Sequence, residues 1–165
     1  VVEDEHGTLD ERLFPRLKLP HKSGHSMTWE GATHIKCGEM AWARAEGWGM
    51  LLDPTHTRAY RALARPGKGP DQIFSKLSYK RTVVVFSLVT ETALFGFAVY
   101  RGGQCVRRWL VGDGELYYDE GEPLAEEFGA FELEPEEIDE TDILEFVRRL
   151  FPLRTFEIGL FQMLE

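Results

Sequence analysis

The sequence predicts an α+β fold, an antiparallel β-meander with helices packed on it. Three observations point there. Residues 81–118 hold β-branched and aromatic runs separated by glycine turns. Residues 139–152, "DETDILEFVRRLFP", repeat apolar residues at helical spacing. The composition, 43% hydrophobic and 28% charged over 165 residues, suits one domain with a real core.

Residues 1–27 hold Pro15, Pro20 and Gly24 with few apolar pairs, and read as an irregular N-terminal arm. Residues 28–165 read as a single α+β domain. The pattern from Trp29 to Glu46 is ambiguous, although "GEMAWARAEG" (38–47) contains the good helix formers Met40, Ala41, Ala43 and Ala45. "WGMLLD" (48–53) reads as a short buried strand ended by Asp53-Pro54. "THTRAYRALAR" (55–65) reads as a helix, with Thr55 or Thr57 as N-cap and Pro66-Gly67 as its stop. "DQIFSKLSYK" (71–80) fits one helical turn or an extended lead-in.

Strands follow over 81–89, 93–100, 104–111 and 115–118. Gly102-Gly103 and Asp113-Gly114 fit the two-residue primed turns that join antiparallel strands. That register pairs Arg101 with Gln104, Tyr100 with Cys105, Val99 with Val106, Phe97 with Arg108 and Gly96 with Trp109. It also pairs Val111 with Leu116 and Trp109 with Tyr118. One face then collects Ala98, Tyr100, Cys105, Arg107, Trp109 and Tyr118; the other collects Phe97, Val99, Arg108, Leu110 and Tyr117. Both faces are largely apolar, so both are expected to be covered.

The strongest helix spans 140–151. Ile143, Leu144, Phe146, Val147 and Leu150 mark its apolar stripe, Asp139 or Thr141 its cap, and Pro152 its end. Acid in its first turn and Arg148-Arg149 in its last suit the helix dipole. "TFEIGLFQML" alternates enough for a final strand over 155–163.

The formal charge is −9, unevenly spread. Residues 1–108 net +5, residues 109–147 contain 15 Asp and Glu and no Lys or Arg, and residues 148–165 net +1. Such an acidic block repels nucleic acid and anionic membranes and attracts a basic partner. The basic residues of 58–81, with Tyr60, Phe74 and Tyr79 between them, form a moderate patch but match no nucleic-acid module, so no nucleic-acid partner is expected. The longest apolar-rich stretch, 82–100, is broken by Thr90, Glu91 and Thr92, so no membrane span is expected. There is no signal-peptide pattern, and the two cysteines, Cys37 and Cys105, are too few for a disulfide framework. A reduced, cytoplasmic setting is expected.

The chemistry-bearing candidates cluster early. His21, His25, His34 and Cys37 are spaced H-x3-H-x8-H-x2-C, and imidazole with thiolate is the donor set tetrahedral zinc prefers. Cys37 with His34 or His56 is the candidate nucleophile–base pair. The acids after Asp113 do not follow the calcium-loop pattern, and no GxSxG, phosphate loop, GxGxxG or HExxH is present.

Residues 81–127, with "FAVYRGGQCVRRW" running into "DEGEPLAEE", together with the upstream "GWGMLLDP", resemble immunity-type proteins of bacterial polymorphic-toxin and toxin–antitoxin loci. The resemblance implies a compact, cytoplasmic, acidic α+β domain that binds and blocks a partner toxin. It carries over no functional residue.

The expected function is therefore a non-enzymatic protein-binding module of the immunity or inhibitor type, meeting a basic partner through its acidic face. Tyr117, Tyr118, Glu132, Glu134, Glu136 and Glu137 are its candidate contact residues. Two alternatives stand beside it. One is a zinc-dependent or cysteine hydrolase centred on His21, His25, His34 and Cys37. The other is a structural or oligomer-forming domain with Trp109 at a subunit contact.

Overall fold

The computed structural model describes residues 1–3, 22–33, 40–53, 55, 57–89, 92–128, 134–157 and 159–164. In chain order these form β1 (Val2–Glu3), β2 (Lys22–Thr28), α1 (Trp29–Thr33), β3 (Met40–Ala45), β4 (Trp48–Leu52), α2 (Thr57–Ala64), α3 (Pro70–Leu77), β5 (Val83–Val89), β6 (Leu94–Arg101), β7 (Gln104–Gly112), β8 (Glu115–Glu120), α4 (Glu140–Leu150), α5 (Leu153–Glu157) and β9 (Leu160–Leu164). The strands make one nine-stranded antiparallel sheet, ordered β2-β9-β3-β4-β1-β5-β6-β7-β8. The fold is α+β, as expected.

Strands β5 to β8 are the expected meander. The rest of the sheet is not a simple continuation of it. Strand β9 inserts between β2 and β3, and the two-residue β1 bridges β4 and β5. Of residues 1–27, expected to be irregular, Val2–Glu3 and Lys22–Thr28 are strands. Val84 N donates to the Val1 carbonyl at 2.7 Å and Glu3 N to the Thr82 carbonyl at 2.9 Å, tying the chain's start into the sheet.

One ambiguous stretch is settled and one strand's bounds move. The helix formers of 38–47 lie in strand β3, paired with β4 on one side and β9 on the other. Met40 and Trp42 face one core while Ala41 and Ala43 face the other, so period-2 burial on both faces overrides helix propensity. The final strand expected over 155–163 is instead the short helix α5 followed by β9 at Leu160–Leu164. The 71–80 segment resolves into α3, with Pro70 in its first turn, and a 3-10 turn at Ser78–Lys80. Helix α4 is capped by Asp139, whose carboxylate accepts from Thr141 N at 2.6 Å, while Asp142 returns a bond to Asp139 N at 2.9 Å.

Both faces of the sheet are covered. Helices α1, α4 and α5 bury Ala32, Ile143, Phe146, Val147, Leu153 and Phe156 against Phe95, Phe97, Val99, Trp109 and Val111. Helices α2 and α3 bury Ala62, Leu63, Phe74 and Leu77 against Val83, Val85, Ala98, Tyr100 and Leu110.

The hairpin register holds at the turns and slips beyond them. Arg101 pairs with Gln104 and Tyr100 with Cys105, but Val99 pairs with Arg107, leaving Val106 as a bulge. Ala98 then pairs with Arg108, Phe97 with Trp109 and Gly96 with Leu110. A second bulge at Tyr117 makes Leu110 pair with Tyr118 and Trp109 with Asp119. Each bulge shifts the pairing by one residue, so Trp109 joins the Phe97 face and Leu110 the Tyr100 face. Gly96 is needed for a different reason than a ring lying over it. A Cβ there would stand 2.7 Å from both Leu110 Cδ1 and the Trp109 carbonyl oxygen.

The turn after β8 is tighter still. Gly121 has φ +86°, and a Cβ on it would stand 2.1 Å from the Val106 carbonyl oxygen. Gly102 is also left-handed, at φ +60°, but has open space around it. Gly102→Ala is expected to lose only the left-handed penalty of about 1 kcal/mol. Gly121→Ala is expected to lose about 3 kcal/mol or more, because the clash adds to that penalty. Urea titration of both variants checks the difference; equal losses would show that the packing of the turn is looser than described.

Candidate functional site

Strand β7 carries Arg107 and Arg108 side by side, and alternation sends them to opposite faces of the sheet. Both are buried, at 3% and 2% exposure. A buried guanidinium is costly unless its charge is matched and its donors are used. Each arginine meets two carboxylates.

On the α4 side, Arg107 Nε donates to Glu127 Oε1 at 2.8 Å and Nη2 to Glu127 Oε2 at 2.8 Å, a bidentate pair. Its Nη1 bonds the Asp119 carboxylate and also reaches the carbonyls of Glu120 at 3.3 Å and Gly121 at 3.2 Å. Glu127 Oε1 also accepts from Leu124 N at 2.8 Å, which fixes the 3-10 turn at Ala125–Glu127. Burial works against the Arg107 charge, but the Glu127 and Asp119 carboxylates outweigh it and hold its pKa above the usual guanidinium value.

On the α2–α3 side, Arg108 Nη2 donates to Asp71 Oδ1 at 2.5 Å and Nη1 to Glu120 Oε2 at 2.8 Å. Asp71 lies in the first turn of α3 and accepts twice more, from the Tyr100 hydroxyl at 2.8 Å and from Gly67 N at 2.7 Å. The guanidinium also lies 6.0 Å from the centre of the Tyr118 ring, whose hydroxyl donates to the Ala64 carbonyl at 3.2 Å. The cluster thus fastens α3 and the end of α2 onto the sheet. Burial, and then the bond to Asp71, push the Tyr100 phenol well above its ordinary pKa. Burial likewise raises the Cys105 thiol, although Arg108 opposes the shift. Neither group is set up as a nucleophile at neutral pH.

These two clusters divide the acidic block. Asp119, Glu120 and Glu127 neutralise arginines, Asp139 and Asp142 cap α4, and Glu145 pairs with Arg149 at 2.6 Å. Glu115, Glu122, Glu134 and Glu137 are exposed. Glu115 opens β8, the last strand of the sheet, and the 3-10 turn Pro135–Glu137 packs beside that strand. Leu116 and Tyr117, on β8, are 46% and 48% exposed; Phe128, whose carbonyl accepts from Arg149 Nη1 at 2.7 Å, is 72% exposed.

The contact residues expected from sequence are therefore partly brought together. Tyr117 is exposed beside β8's carboxylates, with Glu134 and Glu137 exposed on the neighbouring turn. Glu136 lies in that turn, and Glu132 lies outside the described residues. Tyr118 is held differently: it is half-buried and its hydroxyl is bonded to α2. Trp109, expected at a subunit contact in the oligomer reading, is 6% exposed and stacked on Phe97, 6.1 Å between ring centres. His25 is exposed on β2, whereas His21, His34 and Cys37 lie outside the described residues. Among the described residues no group of three or more His, Cys, Asp or Glu is placed to hold a metal. No described helix is long and apolar enough to cross a membrane. The arginine clusters themselves went unread in the sequence; their signal is two adjacent cations inside an apolar strand.

No protein-family model, no curated protein and no solved structure matches this chain.

Arg108→Met is expected to leave Asp71 buried without its cation and to cost about 3–5 kcal/mol. Arg108→Met combined with Asp71→Asn should recover much of that loss, because the uncompensated charge is gone. Thermal or urea unfolding of the three proteins checks this, and a double variant no better than the single would refute the charge-pair account. The raised Tyr100 pKa gives a second expectation. The unfolded chain's phenol ionises near pH 10 while the folded one stays protonated, so the stability Tyr100 contributes is lost as pH rises above about 10. Unfolding midpoints measured from pH 8 to pH 11 should fall less steeply in Tyr100→Phe.

Proposed function

We propose that the protein is a non-enzymatic binding module that meets a basic protein partner through the acidic edge formed by β8 and the turn at Pro135–Glu137. The observation that carries this reading is the company the exposed apolar groups keep. Leu116 and Tyr117 stand in water on β8 after Glu115, and the turn that carries the exposed Glu134 and Glu137 packs on that strand. Exposed apolar groups rimmed by one sign of charge are what a protein contact uses: the aromatics anchor and the charge steers. The carboxylates consumed by Arg107 and Arg108 have a folding role, so the remaining ones are the candidates for recognition.

The resemblance of residues 81–127 to immunity-type proteins agrees with this reading, and a basic toxin is the partner it suggests. Such a partner would approach fast at low salt and more slowly as salt screens the field.

Affinity capture from the native host's lysate at low and high salt, with mass identification, names the partner. Binding kinetics with the purified partner then test the surface. Glu134→Gln with Glu137→Gln is expected to slow association several-fold and flatten its salt dependence. Tyr117→Ala is expected to speed dissociation by about tenfold or more, as an anchor's loss does. Unchanged binding in both variants would exclude this edge as the contact surface.

A further inference from the structure

The opposite charge is also gathered. Residues 57–81 hold seven Lys and Arg and one acid, Asp71. Helices α2 and α3 pack side by side across β5, β6 and β7, and the Ser78–Lys80 turn packs on β6. Arg61 and Arg65 lie four residues apart on α2, so they share a side of that helix. Lys76 lies in the last turn of α3, Lys80 ends the 3-10 turn that follows, and Arg101 precedes the Gly102–Gly103 hairpin. All five cations are exposed, and none makes an ion pair or hydrogen bond among the described residues.

Acids on the elements bordering this face are engaged: Glu3 Oε2 accepts from Thr82 N at 2.8 Å. Asp71 and Glu120 hold Arg108, and Asp53 holds Arg58 at 2.8 Å. The field above α2 and α3 is therefore that of the cations, whatever the net charge of the chain.

Aromatic rings stand within this cationic face. Tyr79 is 71% exposed, the second most exposed of the large apolar side chains described, and Tyr60 is 42% exposed. The Tyr79 ring lies against the hairpin, 3.5 Å from where a Cβ on Gly103 would stand, so the turn supports one edge of it. Ile73, Lys76, Tyr79 and Gly103 line a shallow concavity there.

We propose that this face binds single-stranded nucleic acid, with Arg61, Arg65, Lys76, Lys80 and Arg101 tracking phosphates and Tyr79 stacking on a base. The chemistry that recognises such a ligand is cations in a row with an exposed ring between them, and each base offers a π-face to the ring. A duplex buries its base faces and would use the cations alone. This differs from the expectation drawn from net charge and sequence motif, because the fold separates these cations from the acids that outnumber them.

The test is fluorescence anisotropy with the full chain and a labelled 20-nucleotide oligo(dT), a duplex of equal length and heparin as a base-free polyanion. Oligo(dT) is expected to bind in 50 mM salt and to weaken steeply by 200 mM. Lys76→Glu with Lys80→Glu should weaken it at least tenfold. Tyr79→Ala should weaken oligo(dT) about five- to a hundredfold and leave heparin unchanged. Tyr79 is a surface residue, so its variant should fold normally, and its melting point reports that. Absence of oligo(dT) binding at 50 mM salt would overturn the proposal, as would a Tyr79→Ala variant that binds as the parent does. Sedimentation gives the remaining outcome. Self-association abolished equally by the lysine reversals and by Glu134→Gln with Glu137→Gln, without oligo(dT) binding, would assign the face to a second copy's acidic edge and refute nucleic acid. Loss of the Glu134 and Glu137 charges alone should leave oligo(dT) binding intact, which separates this surface from the one proposed for the basic partner.

Discussion

Two arginines side by side on a strand cannot share a face, and that constraint organises half of this protein. Arg107 and Arg108 point into opposite cores, so each face of the sheet must deliver acid to the same stretch of β7. The α4 face receives it from Glu127, on a 3-10 turn that returns after β8, and the α2–α3 face from Asp71, at the start of α3. Asp119 and Glu120, neighbours on β8, alternate in step with the arginines and supply one carboxylate to each face. The ionic pairing thus repeats the pleat of the sheet, one layer out. Losing either arginine would strand acids on one face only.

Why such pairs exist follows from their cost. An apolar pair at these positions would be at least as stabilising, since burying matched charges rarely gains much net free energy. What the pairs add is geometry. Arg107 reaches both Glu127 and Asp119 beside the Val106 bulge, where Gly121 turns left-handed against the Val106 carbonyl. Arg108 can reach Asp71 only if α3 starts where Pro70 places it. A one-residue slip of β7 would leave only one arginine beside buried acid and move the other off its partners, so the pairs penalise the wrong register.

Much of this architecture was legible in the sequence. The meander of β5 to β8 is written in β-branched residues and in two glycine turns, and α4 in an apolar stripe with an acidic cap. These are local signals. The register was legible only near the turns, at Tyr100 with Cys105 and Val111 with Leu116, because a bulge leaves no mark of its own in the residues. Val106 and Tyr117 are ordinary strand residues, and nothing in their side chains marks them to bulge. Strand β3 was hidden for a related reason: Ala41, Ala43 and Ala45 favour a helix locally and become a strand because β4 and β9 flank them. Of the candidate contact residues, Tyr117, Glu134 and Glu137 were legible as charge and aromatics near one another. The burial that separates Tyr118 from Tyr117 was not, since it depends on where α2 ends.

The arginine pairs also decide how charge is presented to solvent. The sequence shows a block of 15 acids without a cation, which suggests one uniform acidic surface. Folding buries Glu127 against Arg107, ties the half-exposed side chains of Asp119 and Glu120 to Arg107 and Arg108, uses Asp139 and Asp142 at the start of α4, and leaves Glu115, Glu122, Glu134 and Glu137 exposed. Pairing Asp71 inward with Arg108 has the converse effect on the other side. It engages the one carboxylate of residues 57–81, whose cations apart from Arg58, held by Asp53, make no ion pair among the described residues. In a chain of net −9, the same pairs that hold β7 in place thus also engage Asp71, Asp119, Glu120 and Glu127.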